Sequence, residues 1–185
     1  KWKIKTAIKK LIIPRIGHIL TYIPQDAEKA HQWYGAAGVL HDCIGYPSNL
    51  YKKTDAKNNK TNQINILTGN SATSSNNHTD ILKKLTKFKT HDIKIYAPLS
   101  YMEYAASIIK LGKDIFGAKF EPIIDLLPYH EYIGLLEKID IAIFNHERQQ
   151  AMGNTLTLLG MGKTVYLKKN TAQWDFLVGK GVQLR

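Results

Sequence analysis

Short apolar runs alternate with segments of helical periodicity along most of the chain, and the alternation becomes regular from Gln63 onward. Apolar runs bounded by turn-forming residues predict strands at 64–68, 92–97, 119–123, 140–145, 163–167 and 182–184. Apolar residues at helical spacing predict helices at 78–88, 101–116, 128–138 and 174–178, and one after the loop 146–153 that ends at Leu159 before Gly160. Strands that alternate with helices over short connections indicate a parallel sheet with helices on both faces, which is a Rossmann-like α/β domain.

The front of the chain follows a less regular pattern. Its predicted elements are a helix at 1–13 ended by Pro14, strands at 16–23 and 39–41, and a helix at 25–34 closed by Gly35. Polar, unpatterned residues at 54–62 are typical of a linker or an exposed loop. We therefore expect a basic connecting segment between domains over residues 1–60 and a Rossmann-like domain over residues 61–185.

The first predicted helix has an apolar face and a lysine face. Its apolar face carries Ile4, Ala7, Ile8, Leu11 and Ile12, and its lysine face carries Lys3, Lys5, Lys9 and Lys10. Such a helix either packs against its own domain with its lysines in solvent or lies on an anionic membrane surface. Because most amphipathic helices cover a core, the first arrangement is favoured.

Composition narrows the class of protein. The chain has 185 residues and is 44% hydrophobic, which is enough to fill a core and excludes disorder for most of its length. A single cysteine excludes an internal disulfide framework and a cysteine-built zinc site, and the seven histidines show no metal-binding spacing. No apolar run approaches the roughly 20 residues of a membrane span, and no signal peptide is evident. Because the chain does not begin with Met, we expect a fragment of a longer protein.

The charge is positive and unevenly distributed. The formal net charge is +11. Residues 1–60 hold eleven Lys and Arg against four Asp and Glu, a net charge of +7, whereas the rest hold fifteen against eleven, a net charge of +4. Nucleic acid, an anionic membrane or an anionic small substrate would each account for this excess.

The loop after the strand at 64–68 is the first candidate site, because ligands bind at the carboxyl ends of strands in open α/β sheets. It is small and rich in hydroxyl and amide groups, and its candidate ligand-binding residues are Gly69, Asn70, Ser71, Ser75 and Asn76. Glycine permits a sharp turn, and backbone N–H groups with Ser and Asn side chains can hold phosphate oxygens. The alternative is an ordinary loop in which Ser75 or Asn76 caps the next helix.

The loop after the most apolar strand is the second candidate site. Its candidate residues are Glu147, Arg148, Gln149, Gln150, Gly153, Asn154 and Thr155. Arg148 can bind a phosphate or a carboxylate in a bidentate manner, and the backbone of residues 153–155 would offer a helix N-terminus to a diphosphate. The alternative is a surface salt-bridge cluster, but two glutamines and an arginine at this position favour a ligand site.

These motifs resemble a known family. Gly69-Asn70-Ser71, Ser75-Asn76 and His78, together with Arg148-Gln149-Gln150 and Gly153, are similar to motifs of the 4-alpha-L-fucosyltransferase family, glycosyltransferase family 56. The layout of residues 127–167 resembles the carboxy-terminal half of a GT-B glycosyltransferase. Ala72-Thr73 and Ala151 depart from the family pattern, which tends to carry Gly-Asp and Gly at these positions. The resemblance implies the C-terminal, donor-binding half of a GT-B enzyme, inactive as a fragment.

The resemblance also implies a reaction. A fucose-like or 4-acetamido-4,6-dideoxy sugar would pass from a nucleotide-diphosphate donor, dTDP-linked, to a polyprenyl-diphosphate-linked glycan of a bacterial surface polysaccharide. The enzyme would lie in the cytoplasm, at the inner membrane, which the basic front segment would contact. No cofactor, metal or nucleic acid is expected.

Roles for individual residues follow from the resemblance. Arg148 and the 153–155 backbone would meet the charge of the leaving diphosphate. The 69–76 loop with His78 would contact phosphate or sugar, and Glu147 would bind a donor hydroxyl. The general base is unassigned and is expected in a missing first domain. The alternative function is a non-catalytic nucleotide- or polyanion-binding α/β module.

Overall fold

The fold was obtained as a computed structural model, which describes residues 2–43, 62–100 and 104–185. The strands are β1 (His18–Thr21), β2 (Val39–Asp42), β3 (Ile64–Thr68), β4 (Ile93–Pro98), β5 (Phe120–Ile123), β6 (Ile141–Phe144) and β7 (Thr164–Leu167). The helices are α1 (Trp2–Ile12), α2 (Pro24–Tyr34), α3 (His78–Leu85), α4 (Ala105–Phe116), α5 (Tyr129–Lys138), α6 (Met152–Gly160) and α7 (Ala172–Gly179).

Five strands form one parallel sheet in the order β5-β4-β3-β6-β7, so the predicted Rossmann-like fold is confirmed. The strand β3 is central, with β4 on one side and β6 on the other. The chain therefore leaves β3 in one direction and later returns to its opposite side. This reversal makes the carboxyl ends of β3 and β6 a topological switch point, where open α/β sheets bind ligands.

The sheet is buried on both faces, as parallel sheets require. On one face Ile66 of β3 packs with Ile81 and Leu82 of α3 and with residues of α4. On the other face Leu67 of β3 packs with residues of α5 and α6, including Leu158. Adjacent residues of β3 thus enter different cores, because successive side chains of a strand point to opposite faces.

Several elements end at different residues from those predicted. The helix predicted at 78–88 ends at Leu85 and continues as a 3-10 turn at Thr86–Phe88. The strand predicted at 182–184 does not form, although the Arg185 N–H donates to the Val165 carbonyl and the Leu167 N–H to the Arg185 carbonyl, each at 3.2 Å. The predictions for 54–61 and 101–103 lie outside the described residues.

The front segment packs on the main domain through its second helix and not through its first. Ile23, which precedes α2, is buried against Met152 and Ala172. By contrast, the apolar face of α1 is exposed, with 66% of Ile4 and 62% of Leu11 accessible to solvent. The favoured prediction that this face packs against its own domain is therefore wrong for the described residues.

The structure does not test the predicted boundary between the front segment and the main domain. The predicted domain boundary near residue 60 lies between described ranges and stays a prediction. None of the helices in the described ranges has the length and apolar character needed to span a membrane.

Candidate functional site

The loops after β3 and β6 are joined to each other at the switch point. The Glu147 N–H donates to the Ser75 carbonyl at 3.1 Å. The Ser75 hydroxyl donates to Gln150 Oε1 at 2.8 Å, and Gln150 Nε2 donates to Asn70 Oδ1 at 2.9 Å. The two loops predicted separately from the sequence therefore form one structure. The Gln150 side chain is used to hold them together.

Asn76 is the buried centre of this structure, with none of its surface exposed. Its Oδ1 accepts from the Asn70 N–H and from His146 Nε2, both at 3.0 Å. Its Nδ2 donates to Thr73 Oγ1 at 2.8 Å and to Ser71 Oγ at 3.1 Å. One amide thus satisfies groups from both loops, which fixes their relative position.

The prediction that Ser75 or Asn76 caps the next helix is wrong. The residue that precedes α3 is Asn77, and its side chain makes no capping hydrogen bond to the helix. Its Nδ2 donates instead to the Asn145 carbonyl at 2.8 Å and to Glu147 Oε1 at 2.6 Å. Asn77 therefore ties α3 to the loop after β6, and neither Ser75 nor Asn76 acts as the cap.

Gly69 is required by close contact and by backbone conformation. Its φ is +62°, and a Cβ there would lie 2.4 Å from Cε1 of His78 and 2.8 Å from Oδ1 of Asn76. His78 is itself buried, and its Nε2 donates to the Ser71 carbonyl at 2.9 Å. His78 and Asn76 are therefore buried and support the loop from beneath, while their predicted contacts with a ligand stay a prediction.

The two buried histidines are neutral at physiological pH. Burial lowers the pKa of His146 to about 4. Burial also lowers the pKa of His78, against a hydrogen bond to the Ser71 carbonyl. The His146 ring stacks on Phe144 with 5.2 Å between ring centroids. Both rings therefore act as uncharged parts of the loop scaffold.

Charged side chains stand on the exposed rim of the site. Glu147 Oε1 accepts from Lys168 Nζ and from Asn77 Nδ2, each at 2.6 Å, and these hydrogen bonds lower the pKa of Glu147. Arg148 follows Glu147 and is exposed. Sequence reasoning missed Lys168, although it is the first residue after β7 and the same carboxyl-end rule points to it.

The N-terminus of α6 differs from the prediction. The helix begins at Met152, one residue before Gly153, after Ala151 with a φ of 54°. The Thr155 N–H already donates to the Ala151 carbonyl at 2.9 Å. Thr155 is also buried, so the structure removes it from the predicted diphosphate contacts. The backbone of Gly153 and Asn154 lies in the first turn, where N–H groups lack helical partners.

Further residues that support the site were not found from the sequence. Gln173 of α7 is buried, accepts from the Gln150 N–H at 3.3 Å, and donates to Thr155 Oγ1 at 2.9 Å. Gln149, a predicted ligand residue, donates to the Tyr22 hydroxyl at 3.3 Å. No local pattern marks a buried glutamine on a late helix as part of this site.

The Asn154 side chain is held by another helix. Its Nδ2 donates to the hydroxyl of Tyr132 on α5 at 2.8 Å. Burial raises the pKa of Tyr132 to about 12, although this hydrogen bond opposes the shift. The tyrosine therefore stays protonated. Because Tyr132 holds the Asn154 side chain, the backbone N–H of Asn154 is the group proposed to contact the ligand.

The arrangement combines an open rim with a rigid base. The exposed Arg148, the ionised Glu147, Lys168 and the first turn of α6 surround the end of β6, while buried amides and imidazoles lie beneath. An arginine beside a helix N-terminus can bind a phosphate or diphosphate. Within the described ranges, no group of three or more His, Cys, Asp or Glu side chains could hold a metal ion.

Solved structures show the same fold. The chain matches WaaG, a glycosyltransferase involved in lipopolysaccharide biosynthesis, with a TM-score of 0.67, 10% identity, 88% of this chain covered and 47% of that chain. Sequence identity this low supports the fold alone, which is that of a GT-B glycosyltransferase. The chain spans about half the length of the WaaG chain.

Two trehalose-related structures match less well. A UDP-forming alpha,alpha-trehalose-phosphate synthase from Burkholderia xenovorans has a TM-score of 0.45 and 5% identity, with 62% of this chain and 31% of that chain covered. The N-terminal domain of trehalose-6-phosphate phosphatase from Candida albicans has a TM-score of 0.49 and 12% identity, with 67% and 35% covered.

The strand order and the match to WaaG define the class of fold, a Rossmann-like domain of the GT-B type. The family model of glycosyltransferase group 56, the 4-alpha-L-fucosyltransferases, matches residues 1–184 of the sequence. The chain belongs to this family, and the resemblance seen in its motifs is confirmed.

Proposed function

We propose that this chain is the donor-binding half of a glycosyltransferase that takes its sugar from a nucleotide diphosphate. The observation that carries the proposal is the joined pair of loops after β3 and β6. They lie at the switch point of a parallel sheet, next to the first turn of α6 and an exposed arginine. Family membership supplies the class of reaction.

The diphosphate is the part of the donor that the site suits best. Arg148 would form charge-assisted hydrogen bonds to the phosphate oxygens, and the Gly153 and Asn154 N–H groups would donate from the N-terminus of α6. These donors would also stabilise the charge that develops on the diphosphate as it leaves. The nucleotide-sugar is a substrate, and the proposal includes no resident cofactor or metal.

The sugar end of the donor would be oriented by the rim. Glu147 is ionised at neutral pH, and hydrogen bonds from Lys168 and Asn77 lower its pKa further, so it can accept a hydrogen bond from a donor hydroxyl. Asn70 and Ser75 would form the adjoining wall, with the buried Gly69 and Ser71 behind them. In that wall the Gln150 side chain and Asn76 fix the positions of the other groups.

The wider reaction follows from the family. We propose a fucose-like or 4-acetamido-4,6-dideoxy sugar on dTDP as donor and a polyprenyl-diphosphate-linked glycan of a bacterial surface polysaccharide as acceptor. The lysine face of α1 would contact anionic headgroups at the cytoplasmic face of the inner membrane, where such an acceptor lies. The chain alone would bind donor without turning it over, since the general base is proposed to lie outside residues 1–185.

Isothermal titration with dTDP, UDP and GDP tests the proposal. We expect dTDP to bind and Arg148→Ala to weaken that binding about 10- to 100-fold, as expected for the loss of a charge-assisted contact. Arg15→Ala, which removes a guanidinium next to α1, is the matched control and should leave the affinity unchanged. Equal affinity in the wild type and Arg148→Ala contradicts the diphosphate assignment. Preferential binding of DNA or RNA with a steep salt dependence would favour a polyanion-binding module instead.

A further inference from the structure

The main sheet, which is covered on both faces along β3, is open on one face at its β7 edge. Paired residues of a parallel ladder point to the same face. On the face toward α3, β6 and β7 carry Ile141, Ile143, Thr164 and Tyr166. The core beneath α3 and α4 reaches Ile141 and Ile143 but leaves them only partly buried, and Tyr166 is 44% exposed. The open face therefore forms a groove along β6 and β7.

A cavity of about 700 Å³ lies in this groove, between α3 and the two strands. We call it the β6–β7 groove. Its volume is in the range of pockets that hold small organic ligands. Its apolar lining includes Ile141, Ile143, Tyr166 and Phe88, and Phe88 is 40% exposed. These side chains form an apolar floor that a hydrocarbon group can cover.

Cations line the groove at the end where β7 finishes. Lys168 and Lys169 follow β7 directly. Arg185 lies alongside the same strand, since its N–H donates to the Val165 carbonyl and its carbonyl accepts from the Leu167 N–H. All three cations are among the lining residues, so the groove has a basic end as well as an apolar floor.

The opposite end of the groove is more apolar. The helix α3 starts beside the end of β6, where Asn145 Nδ2 donates to Asp80 Oδ2 at 2.7 Å, and it runs back toward the start of that strand. Phe88, just beyond α3, and Ile141, the first residue of β6, therefore lie away from the basic end. The groove is thus polarised along its length.

The charge of the lining favours an anion. Asp80 is the only carboxylate among the lining residues that the structure describes, and Lys84 pairs with it at 2.9 Å. Lys169 and Arg185 make no ion pair within the described ranges. An anionic group at the basic end would therefore meet two cations that have no carboxylate partner of their own.

We propose that the β6–β7 groove binds a phosphate-bearing lipid. Its phosphate would accept charge-assisted hydrogen bonds from Lys169 and Arg185, and its hydrocarbon chain would lie along the apolar floor. A free phosphate would leave the floor exposed to water, and a neutral hydrocarbon would leave the cations unpaired. A ligand with a charged head and an apolar chain matches both parts of the groove.

A lipid suits the groove better than a peptide strand does. A peptide strand would bind through free backbone groups at the edge of the sheet. At the outer edge of β7 the Val165 carbonyl and the Leu167 N–H are already bonded to Arg185, each at 3.2 Å. A hydrocarbon chain needs no hydrogen-bond partner and gains from the apolar floor alone.

The basic end of the groove adjoins the candidate donor site. Lys168 lines the groove, and its Nζ donates to Glu147 Oε1 at 2.6 Å. Asn145 also lines the groove, and its carbonyl accepts from Asn77 Nδ2 at 2.8 Å. The groove would therefore hold a lipid substrate beside the donor. This role rests on the proposed function, whereas lipid binding in the groove does not.

Titration of the 15N-labelled chain with octyl phosphate, followed by amide chemical shifts, tests the proposal. Octanol and inorganic phosphate are titrated in parallel, because each carries only one half of the ligand. We expect octyl phosphate to bind at least ~10-fold more tightly than either of them, since it alone satisfies both parts of the groove. The largest shift changes should fall at residues 80–88, 141–145 and 164–169.

Two variants locate the ligand in the groove. Tyr166→Glu puts a negative charge on the floor and should weaken octyl phosphate binding at least ~10-fold. Tyr129→Glu, at a residue 72% exposed on α5, is its matched control and should leave the affinity unchanged. Lys169→Ala should weaken binding of octyl phosphate about 3- to 10-fold without changing that of octanol. The control for this variant is Lys113→Ala, at an exposed residue of α4.

Three results would overturn the proposal. The first is octyl phosphate binding that is absent, or no tighter than that of octanol or of inorganic phosphate. The second is unchanged affinity in Tyr166→Glu, which would place the ligand elsewhere. The third is displacement of octyl phosphate by dTDP, which would put its phosphate in the candidate donor site. The donor assignment is tested separately by dTDP binding to Arg148→Ala, so either proposal can fail without the other.

Discussion

At the scale of single residues, Asn76 explains how a loop of small polar residues can be rigid. Its side-chain amide joins groups from both loops, and the buried rings of His78 and His146 lie against the same cluster. Every partner is polar and buried or half-buried, so breaking one bond leaves another group unsatisfied. The glycine beside Asn76 is equally constrained, because a methyl group would occupy the space of the His78 ring.

Gly69→Ala should destabilise the protein by about 2–4 kcal/mol, since it adds overpacking against His78 to the penalty of a left-handed backbone. Gly162 is the matched control, because its φ is +73° and a Cβ there meets nothing within 4 Å. Gly162→Ala should cost only the backbone term of about 1–2 kcal/mol. Urea unfolding measures both, and equal losses would show that the contact with His78 is relieved without cost.

The buried His146 should make stability depend on pH. Its pKa is about 4 in the folded protein against 6.5 ordinarily, so the unfolded chain takes up the proton first. The stability that this histidine confers is complete above pH 6.5 and is lost as the pH falls toward 4. The shift corresponds to on the order of 3 kcal/mol. His146→Gln keeps a donor for Asn76 and should reduce the loss.

The measurement is the free energy of unfolding in urea at pH 7, 6 and 5. The exposed His130 provides the control, because His130→Gln should leave the pH dependence as it is. The same slope in the wild type and in His146→Gln would contradict the neutral, buried state of His146.

At the scale of elements, the strands of the main sheet were predicted well because their apolar runs are short and bounded by turn-forming residues. The prediction of β3 at residues 64–68 matches its observed bounds. The two candidate loops were found because they follow the carboxyl ends of predicted strands, whereas the strand order that makes them neighbours came from the structure. The predicted last strand at 182–184 failed, since such a short run takes its structure from its neighbours and only Arg185 bonds to β7.

The local sequence pattern could not predict which elements pack against one another. The periodicity of α1 correctly predicted two faces but not what covers the apolar one, because periodicity reports a face and not its partner. Gln173 was missed for the same reason. It contacts the site from a helix more than twenty residues away in sequence, and only the fold brings it to Gln150.

Gln173→Leu should destabilise the protein by about 1–3 kcal/mol, because the half-buried Gln150 N–H loses its acceptor and the buried Thr155 hydroxyl loses its donor. Gln32, exposed on α2, is the control, and Gln32→Leu should change stability by no more than about 0.5 kcal/mol. Thermal unfolding of both variants gives the comparison. An unchanged melting temperature for Gln173→Leu would mean that α7 does not support the loop after β6.

At the scale of the whole molecule, the positive charge lies in two separate places. The lysines of α1 are exposed, and we propose that they contact anionic headgroups. At the candidate donor site the positive groups include Arg148 and Lys168, and Lys168 is paired with Glu147. The net charge of +11 therefore does not require nucleic acid as a partner.

The most direct test of the donor site is an NMR titration of the 15N-labelled chain with dTDP. We expect the largest amide shift changes at residues 69–77 and 146–154, the two joined loops and the first turn of α6. Arg148→Ala should reduce these changes at equal dTDP concentration without altering the spectrum elsewhere. Shift changes confined to another surface, or absent at millimolar dTDP, would contradict the assignment of the switch-point loops as the donor site.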